Sequence, residues 1–168
     1  MRKMLRLAAV AVALASTGMA SSAYAAGATA TASAEILTSL TVTKNADLSF
    51  GQIAVNSDGT VVLASDGTTR TCSSGLVCAG APALSKFTVT GTSGVGISAT
   101  VDQTSIQLTH AVDTTKKFTL TMDAPNFPAG STLTSGSAVF NVGGSLAVVA
   151  ANAIPGVYSG TFNVTVTY

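Results

Sequence analysis

The last eleven residues alternate without a break. Tyr158, Gly160, Phe162, Val164, Val166 and Tyr168 fall on one side, and Ser159, Thr161, Asn163, Thr165 and Thr167 fall on the other. A period of two puts one set on a buried face and the other in water, which only a half-buried β-strand does. The rest of the chain after residue 25 follows suit. Short runs rich in Thr and Val recur between clusters of Gly, Asn, Asp and Ser, and apolar spacing of helical period is almost absent. Candidate strands are 28–42, 48–53, 60–64, 86–90, 96–101, 106–110, 117–122, 138–142, 146–150 and 157–168. So many short strands predict an all-β domain, a sandwich or a barrel. Val142-Gly143-Gly144-Ser145 reads as a hairpin turn, and Asp58-Gly59 and Asp66-Gly67 read as further turns.

The first residues set the compartment. Arg2, Lys3 and Arg6 precede an apolar run from Leu7 to Ala15, and Ala23-Tyr24-Ala25 offers a small-x-small cleavage site. This is the pattern of a secretory signal peptide over 1–25. The apolar run is shorter than the eighteen or so residues that a spanning helix requires, and no later stretch approaches that length, so no transmembrane anchor is expected. The expected route is export through the periplasm, to the cell surface or the medium. With residues 1–25 removed, five basic residues, Lys44, Arg70, Lys86, Lys116 and Lys117, stand against seven acidic ones. They are too few and too dispersed to form a phosphate-binding face, which excludes nucleic acid as a partner.

Cys72 and Cys78 are the only cysteines, and an even pair in an exported chain predicts a disulfide. A zinc site would need two further ligands, and the neighbouring Thr71, Ser73, Ser74 and Gly75 supply neither His nor carboxylate. Closing so short a loop stabilises by roughly 2 kcal/mol, a local effect. No catalytic constellation emerges. His110, the single histidine, ends a strand-like run and reads as a sheet-edge residue; no Gly-x-Ser-x-Gly elbow is present; the acids lie scattered through turns. Neither enzymatic chemistry nor a cofactor or metal is expected.

The start of the exported chain also alternates. Ala28, Ala30, Ala32, Ala34, Ile36, Leu40 and Val42 share one phase, broken only by Thr38. Fifteen residues is long for one strand against a typical five or six, so the segment reads as a domain strand preceded by an extension free to pair elsewhere.

Four strings, Leu48-Ser49-Phe50-Gly51, Phe87-Thr88-Val89-Thr90-Gly91, Val142-Gly143-Gly144-Ser145-Leu146 and the stretch from Gly156 to Tyr168, together resemble the secreted bacterial family catalogued as domain of unknown function 4402. That family in turn resembles chaperone-usher fimbrial subunits. The resemblance implies an immunoglobulin-like β-sandwich of pilin type, incomplete and completed by donor-strand exchange. It implies a signal peptide over 1–25, an extension over 26–35 and a sandwich over 36–168. In such a subunit Ala28, Ala30, Ala32, Ala34 and Ile36 are the candidate donor strand. Gly156, Tyr158, Phe162, Val164, Val166 and Tyr168 are the candidate acceptor and chaperone-docking strand. Gly156 and Tyr168 keep the glycine-to-tyrosine separation of those pilins, although Tyr168 ends the sequence where they place the tyrosine next to last. The alanine-rich donor also departs from the bulkier residues usual there. The implied partners are other copies of the chain or related pilins, a periplasmic chaperone, an outer-membrane usher and an unknown surface receptor.

The function expected is that of a structural subunit of a fimbria or related adhesin. The alternative is a monomeric secreted carbohydrate- or surface-binding sandwich whose own N-terminal segment completes it. A small outer-membrane barrel is a third reading, opposed by the absence of Trp and by Thr-rich faces. Mass spectrometry of the exported protein is expected to find Ala26 at its N-terminus, and a retained Met1 would refute cleavage.

Overall fold

A computed structural model describes residues 26–67, 69–127 and 130–168; the signal peptide expected over 1–25 lies outside the described residues. Residues 26–40 carry no strand, and 26–35 are exposed throughout. The long first strand expected from residue 28 therefore begins only at Thr41. Ile36 stands 94% exposed.

Fourteen strands follow: β1 (Thr41–Ala46), β2 (Gln52–Val55), β3 (Gly59–Leu63), β4 (Arg70–Cys72), β5 (Leu76–Ala79), β6 (Ser85–Thr90), β7 (Gly96–Val101), β8 (Ser105–His110), β9 (Lys117–Met122), β10 (Ser131–Thr132), β11 (Ser137–Val142), β12 (Gly144–Val148), β13 (Tyr158–Ser159) and β14 (Val164–Thr167). A single turn of 3-10 helix, Ala150–Asn152, separates β12 from β13. The strands form four open sheets in the orders β1-β6-β11, β10-β7-β14, β13-β8-β9-β12-β3-β4 and β2-β5. All pairings are antiparallel. None of the sheets closes into a barrel, and the fold is all-β and sandwich-like. Among the described residues no helix is long and apolar enough to cross a membrane.

The alternation in sequence becomes the two faces of each sheet. In β6, Ser85, Phe87 and Val89 are buried while Lys86, Thr88 and Thr90 face outward; in β9, Phe118, Leu120 and Met122 are buried between Lys117, Thr119 and Thr121. Phe87, Val89, Phe140 and Val142 from the three-stranded sheet β1-β6-β11 join one core with Val61, Leu63, Phe118, Leu120, Leu146 and Val148 from the six-stranded sheet. Phe87 stacks on Phe140 with ring centroids 5.4 Å apart, and Phe162 sets its edge against Phe87 at 6.3 Å. Each such side chain, once buried, contributes about 1.5–3 kcal/mol.

Several strands depart from the sequence reading. The strand expected over 48–53 pairs only at Gln52–Val55, apart from a bridge between Ser49 and Ala83. The strand expected over 157–168 is interrupted between β13 and β14, because the chain changes partner there: β13 pairs with β8 and β14 with β7, in different sheets. β4, β5 and β10 escape sequence reading because each is four residues or fewer, too short to show a period. Asp66-Gly67 does form a turn, closed by the Gly67 amide donating to the Ala64 carbonyl at 3.0 Å.

Val142-Gly143-Gly144-Ser145 is not a hairpin. β11 belongs to the three-stranded sheet and β12 to the six-stranded one, so the two glycines are the corner at which the chain crosses between layers. Glycine is required for close approach and not for positive φ. A Cβ on Gly143 would lie 2.0 Å from the Leu63 carbonyl oxygen, and one on Gly144 would lie 2.5 Å from that of Thr121. The corner is also satisfied in its hydrogen bonds. The Gly143 amide donates to Ser65 Oγ at 2.8 Å, and the Gly143 carbonyl accepts from the Asp123 amide at 3.1 Å. Gly143→Ala is expected to destabilise the protein by about 3 kcal/mol, since rigid backbone must move. At Gly67 the nearest atom to a new Cβ is 3.8 Å away, and Gly67→Ala is expected to change stability by less than about 1 kcal/mol. Chemical denaturation of both variants checks the contrast.

Candidate functional site

The core is open along one line. After β1 the chain runs through Asp47–Gly51 into β2, which does not join the six-stranded sheet and pairs only with β5. On the other side the chain leaves the 3-10 turn and enters β13, the edge strand of the six-stranded sheet. Between these two segments lies a groove of about 750 Å³. Its walls are 47–55 and 153–162. Its floor is Ile106 and Leu108 of β8, Phe118 and Leu120 of β9, and Leu146 and Val148 of β12. Among the described residues no strand pairs with the second edge of β2 or of β13. The wall residues Leu48, Ile53, Val55, Tyr158 and Phe162 are half-buried, though they pack on the core.

The β13 wall is held by a tyrosine corner. The Tyr158 hydroxyl donates to the Asn152 carbonyl at 2.7 Å and accepts from the Ile154 amide at 3.0 Å. This bond back to upstream backbone at the entry to a strand is a hallmark of immunoglobulin-like sandwiches. The Tyr158 ring packs on Phe118, with centroids 4.4 Å apart, and on His110, 5.0 Å away. His110 is therefore not at the sheet edge, as its sequence position suggested. It is 5% exposed, because β13 continues the sheet beyond β8. The Val112 and Asp113 amides donate to its Nδ1 at 3.2 and 2.9 Å, which assigns the proton to Nε2, and Nε2–H donates to the Pro155 carbonyl at 3.2 Å. Gly156 crosses the ring so closely that a Cβ would lie 1.9 Å from Nε2. In the adjoining turn the Thr115 hydroxyl and amide donate to Asp113 and hold its carboxyl below the usual carboxylate range.

The β2 wall is held by Arg70, whose guanidinium donates to the carbonyls of Phe50, of Ala79 at 3.0 Å and of Gly80 at 3.3 Å. The Cys72–Cys78 disulfide is formed. It joins β4 of the six-stranded sheet to β5 of the two-stranded one, a wider reach than the local loop closure expected.

Gly156, Tyr158 and Phe162 of the candidate acceptor strand line the groove. Val164 and Val166 continue the same inward, half-buried phase in β14. Tyr168 lies apart from the lining. Its hydroxyl donates to the Thr38 carbonyl and accepts from the Thr92 amide at 2.9 Å, and the Thr38 amide donates to Thr92 Oγ1 at 2.7 Å. The chain upstream of Thr38 thus starts beside the end of the last strand. Of the candidate donor residues, Ala28, Ala30, Ala32, Ala34 and Ile36 are all exposed and outside any strand. The floor residues and Arg70 were not read as site residues from sequence. The floor carried only the alternation of β8, β9 and β12, which marks core in general, and a lone arginine in a Thr-rich run carries no signal.

Asp47 is the one charged side chain among the lining residues, and among the described residues no three His, Cys, Asp or Glu side chains converge as a metal site would require. What the groove offers is an apolar floor between two backbone edges.

The family described as domain of unknown function (DUF4402) matches residues 40–168. The chain belongs to this family. No curated protein and no solved structure matches it. The DUF4402 region begins one residue before β1, contains both walls and the floor of the groove, and leaves the alanine-rich segment outside.

Tyr158→Phe would strip the partner from the Ile154 amide and the Asn152 carbonyl. It is expected to destabilise this DUF4402 domain by about 1–2 kcal/mol in urea titration, and an unchanged midpoint would show that the corner is dispensable.

Proposed function

We propose that this DUF4402 protein is a structural subunit of a surface fimbria or related adhesin, exported through the periplasm and assembled by strand complementation. The observation that carries the reading is the groove. Two strand edges that have no partner among the described residues line one groove with an apolar floor, which supports the reading of a sandwich short of one strand. A strand laid there pairs its backbone with β2 and β13 and drops alternate side chains onto Leu108, Phe118 and Leu146. Each backbone hydrogen bond contributes about 1 kcal/mol net, and apolar area adds about 25 cal/mol per Å².

The edge strand β1 differs from β2. The outer edge of β1 carries a bulge between Lys44 and Ala46 and an ion pair of Lys44 with Asp47 at 2.6 Å, two devices that discourage pairing. β2, with the sequence Gln-Ile-Ala-Val, carries neither. In the assembled fibre the incoming strand is the segment Ala28–Ile36 of another copy or of a related pilin, with Ala28, Ala30, Ala32, Ala34 and Ile36 facing the floor. A periplasmic chaperone occupies the same groove before assembly at an outer-membrane usher, and an unknown surface receptor is the adhesive partner.

The tie between Thr38 and Tyr168 favours a second reading. The chain from Thr38 back to Ala26 spans roughly 40 Å when extended, enough to lie along its own domain and complete the sandwich of a secreted carbohydrate- or surface-binding monomer.

Boiling-resistant ladders and electron microscopy separate the two. Wild type and Thr31→Asp are expected to form fibres. Ala32→Asp, which would bury an unpaired carboxylate in the joint, and a deletion of 26–33 are expected not to. Normal fibres from the deletion would rule the segment out as donor, and a discrete monomer from wild type would establish the binding module.

A further inference from the structure

We propose that the Cys72–Cys78 disulfide is a redox lock on one wall of the groove. Its consequence for a bound strand rests on the assembly reading above, but the lock itself follows from connectivity. β2 pairs only with β5 and β5 only with β2, whereas β4 pairs with β3 inside the six-stranded sheet. The chain thus passes from one sheet into another between β4 and β5. The disulfide is the covalent bridge between them, beside the Arg70 guanidinium reaching from β4 to Phe50, Ala79 and Gly80, the Leu76 amide donating to the Ser73 carbonyl at 3.0 Å, and Leu76 buried in the shared core. A two-stranded ribbon is marginal alone, and this ribbon buries only Leu76 fully, with Ile53, Val55 and Cys78 half-buried. Phe50 anchors one end of the wall Phe50–Val55 in the core, and the cross-link fixes the ribbon that carries the rest of it.

Both cysteines are half-buried and within reach of a small reductant. A dithiol supplies two electrons and two protons and closes to its own disulfide; the Sγ–Sγ bond breaks, and Cys72 and Cys78 become thiols. The ribbon is then held by the Arg70 contacts and by the packing of Phe50, Leu76, Ile53 and Val55 on the core, without its covalent tie; the wall of the groove moves more freely, and a strand held between β2 and β13 is held less tightly.

Hydrogen exchange of the full exported chain, with and without dithiothreitol, tests the lock. The amides of β2 and β5 are expected to exchange about tenfold faster or more on reduction, while those of β9 and β12 keep their rates. The double variant Cys72→Ser/Cys78→Ser is expected to match the reduced protein without reductant. Unchanged rates in β2 would overturn the lock, and so would a common acceleration in all sheets, which would make the disulfide a support of the whole fold. A synthetic peptide of residues 26–36 gives the second readout. It is expected to bind the oxidised protein at least about tenfold more tightly than the reduced. Equal affinity for both forms would overturn the weaker hold on the strand. Binding to neither form while β2 responds in exchange would uphold the lock and refute the assembly reading.

Discussion

Backbone amides and carbonyls must be paired wherever water is excluded, and that requirement organises this molecule around its groove. The six-stranded sheet could have ended in a covered edge, as it does at β4, whose Arg70 and Cys72 are tied to the neighbouring ribbon. At β13 it ends instead in a free edge beside an apolar floor. β2 turns away to pair with β5 and leaves a second free edge opposite. Half-burial of Leu48, Ile53, Tyr158 and Phe162 is the direct result: these side chains touch the core on one side and face open space on the other.

The walls of the groove are fixed by contacts too close for ordinary side chains. Gly156 passes over the His110 ring, and Gly51, with φ +73, passes under Arg70, where a Cβ would lie 2.4 Å from the guanidinium. Gly143 and Gly144 do the same between the layers. In each case a Cβ would collide with a neighbouring carbonyl or polar side chain. The tyrosine corner at Tyr158 and the clamp at Arg70 hold the two walls, and the floor carries only apolar residues.

Much of this was legible in the chain itself. Alternation in 86–90, 96–101, 106–110, 117–122 and 138–142 located β6, β7, β8, β9 and β11 to within a residue or so, because each buries one face and period two records that directly. The cysteine pair was legible for the same reason of simple chemistry. The inward phase of Tyr158, Phe162, Val164 and Val166 was also correct. The floor of the groove was not legible as a site, since Ile106, Leu108 and Leu146 alternate like any core residue. The corner at Gly143 was misread because two glycines between apolar runs have the same composition whether they turn a strand back or hand it to another sheet. His110 was placed at an edge because the strand that covers it lies some fifty residues further along the chain.

By itself, then, the sequence determined that this protein is all-β, which side chains face inward, and that two cysteines join, because local periodicity and residue chemistry carry that information. Only the tertiary structure decided which strands are neighbours, that β2 leaves the main sheet, and that the core stays open between β2 and β13. Pairing partners are set by contacts between residues far apart in the chain, which no local pattern encodes.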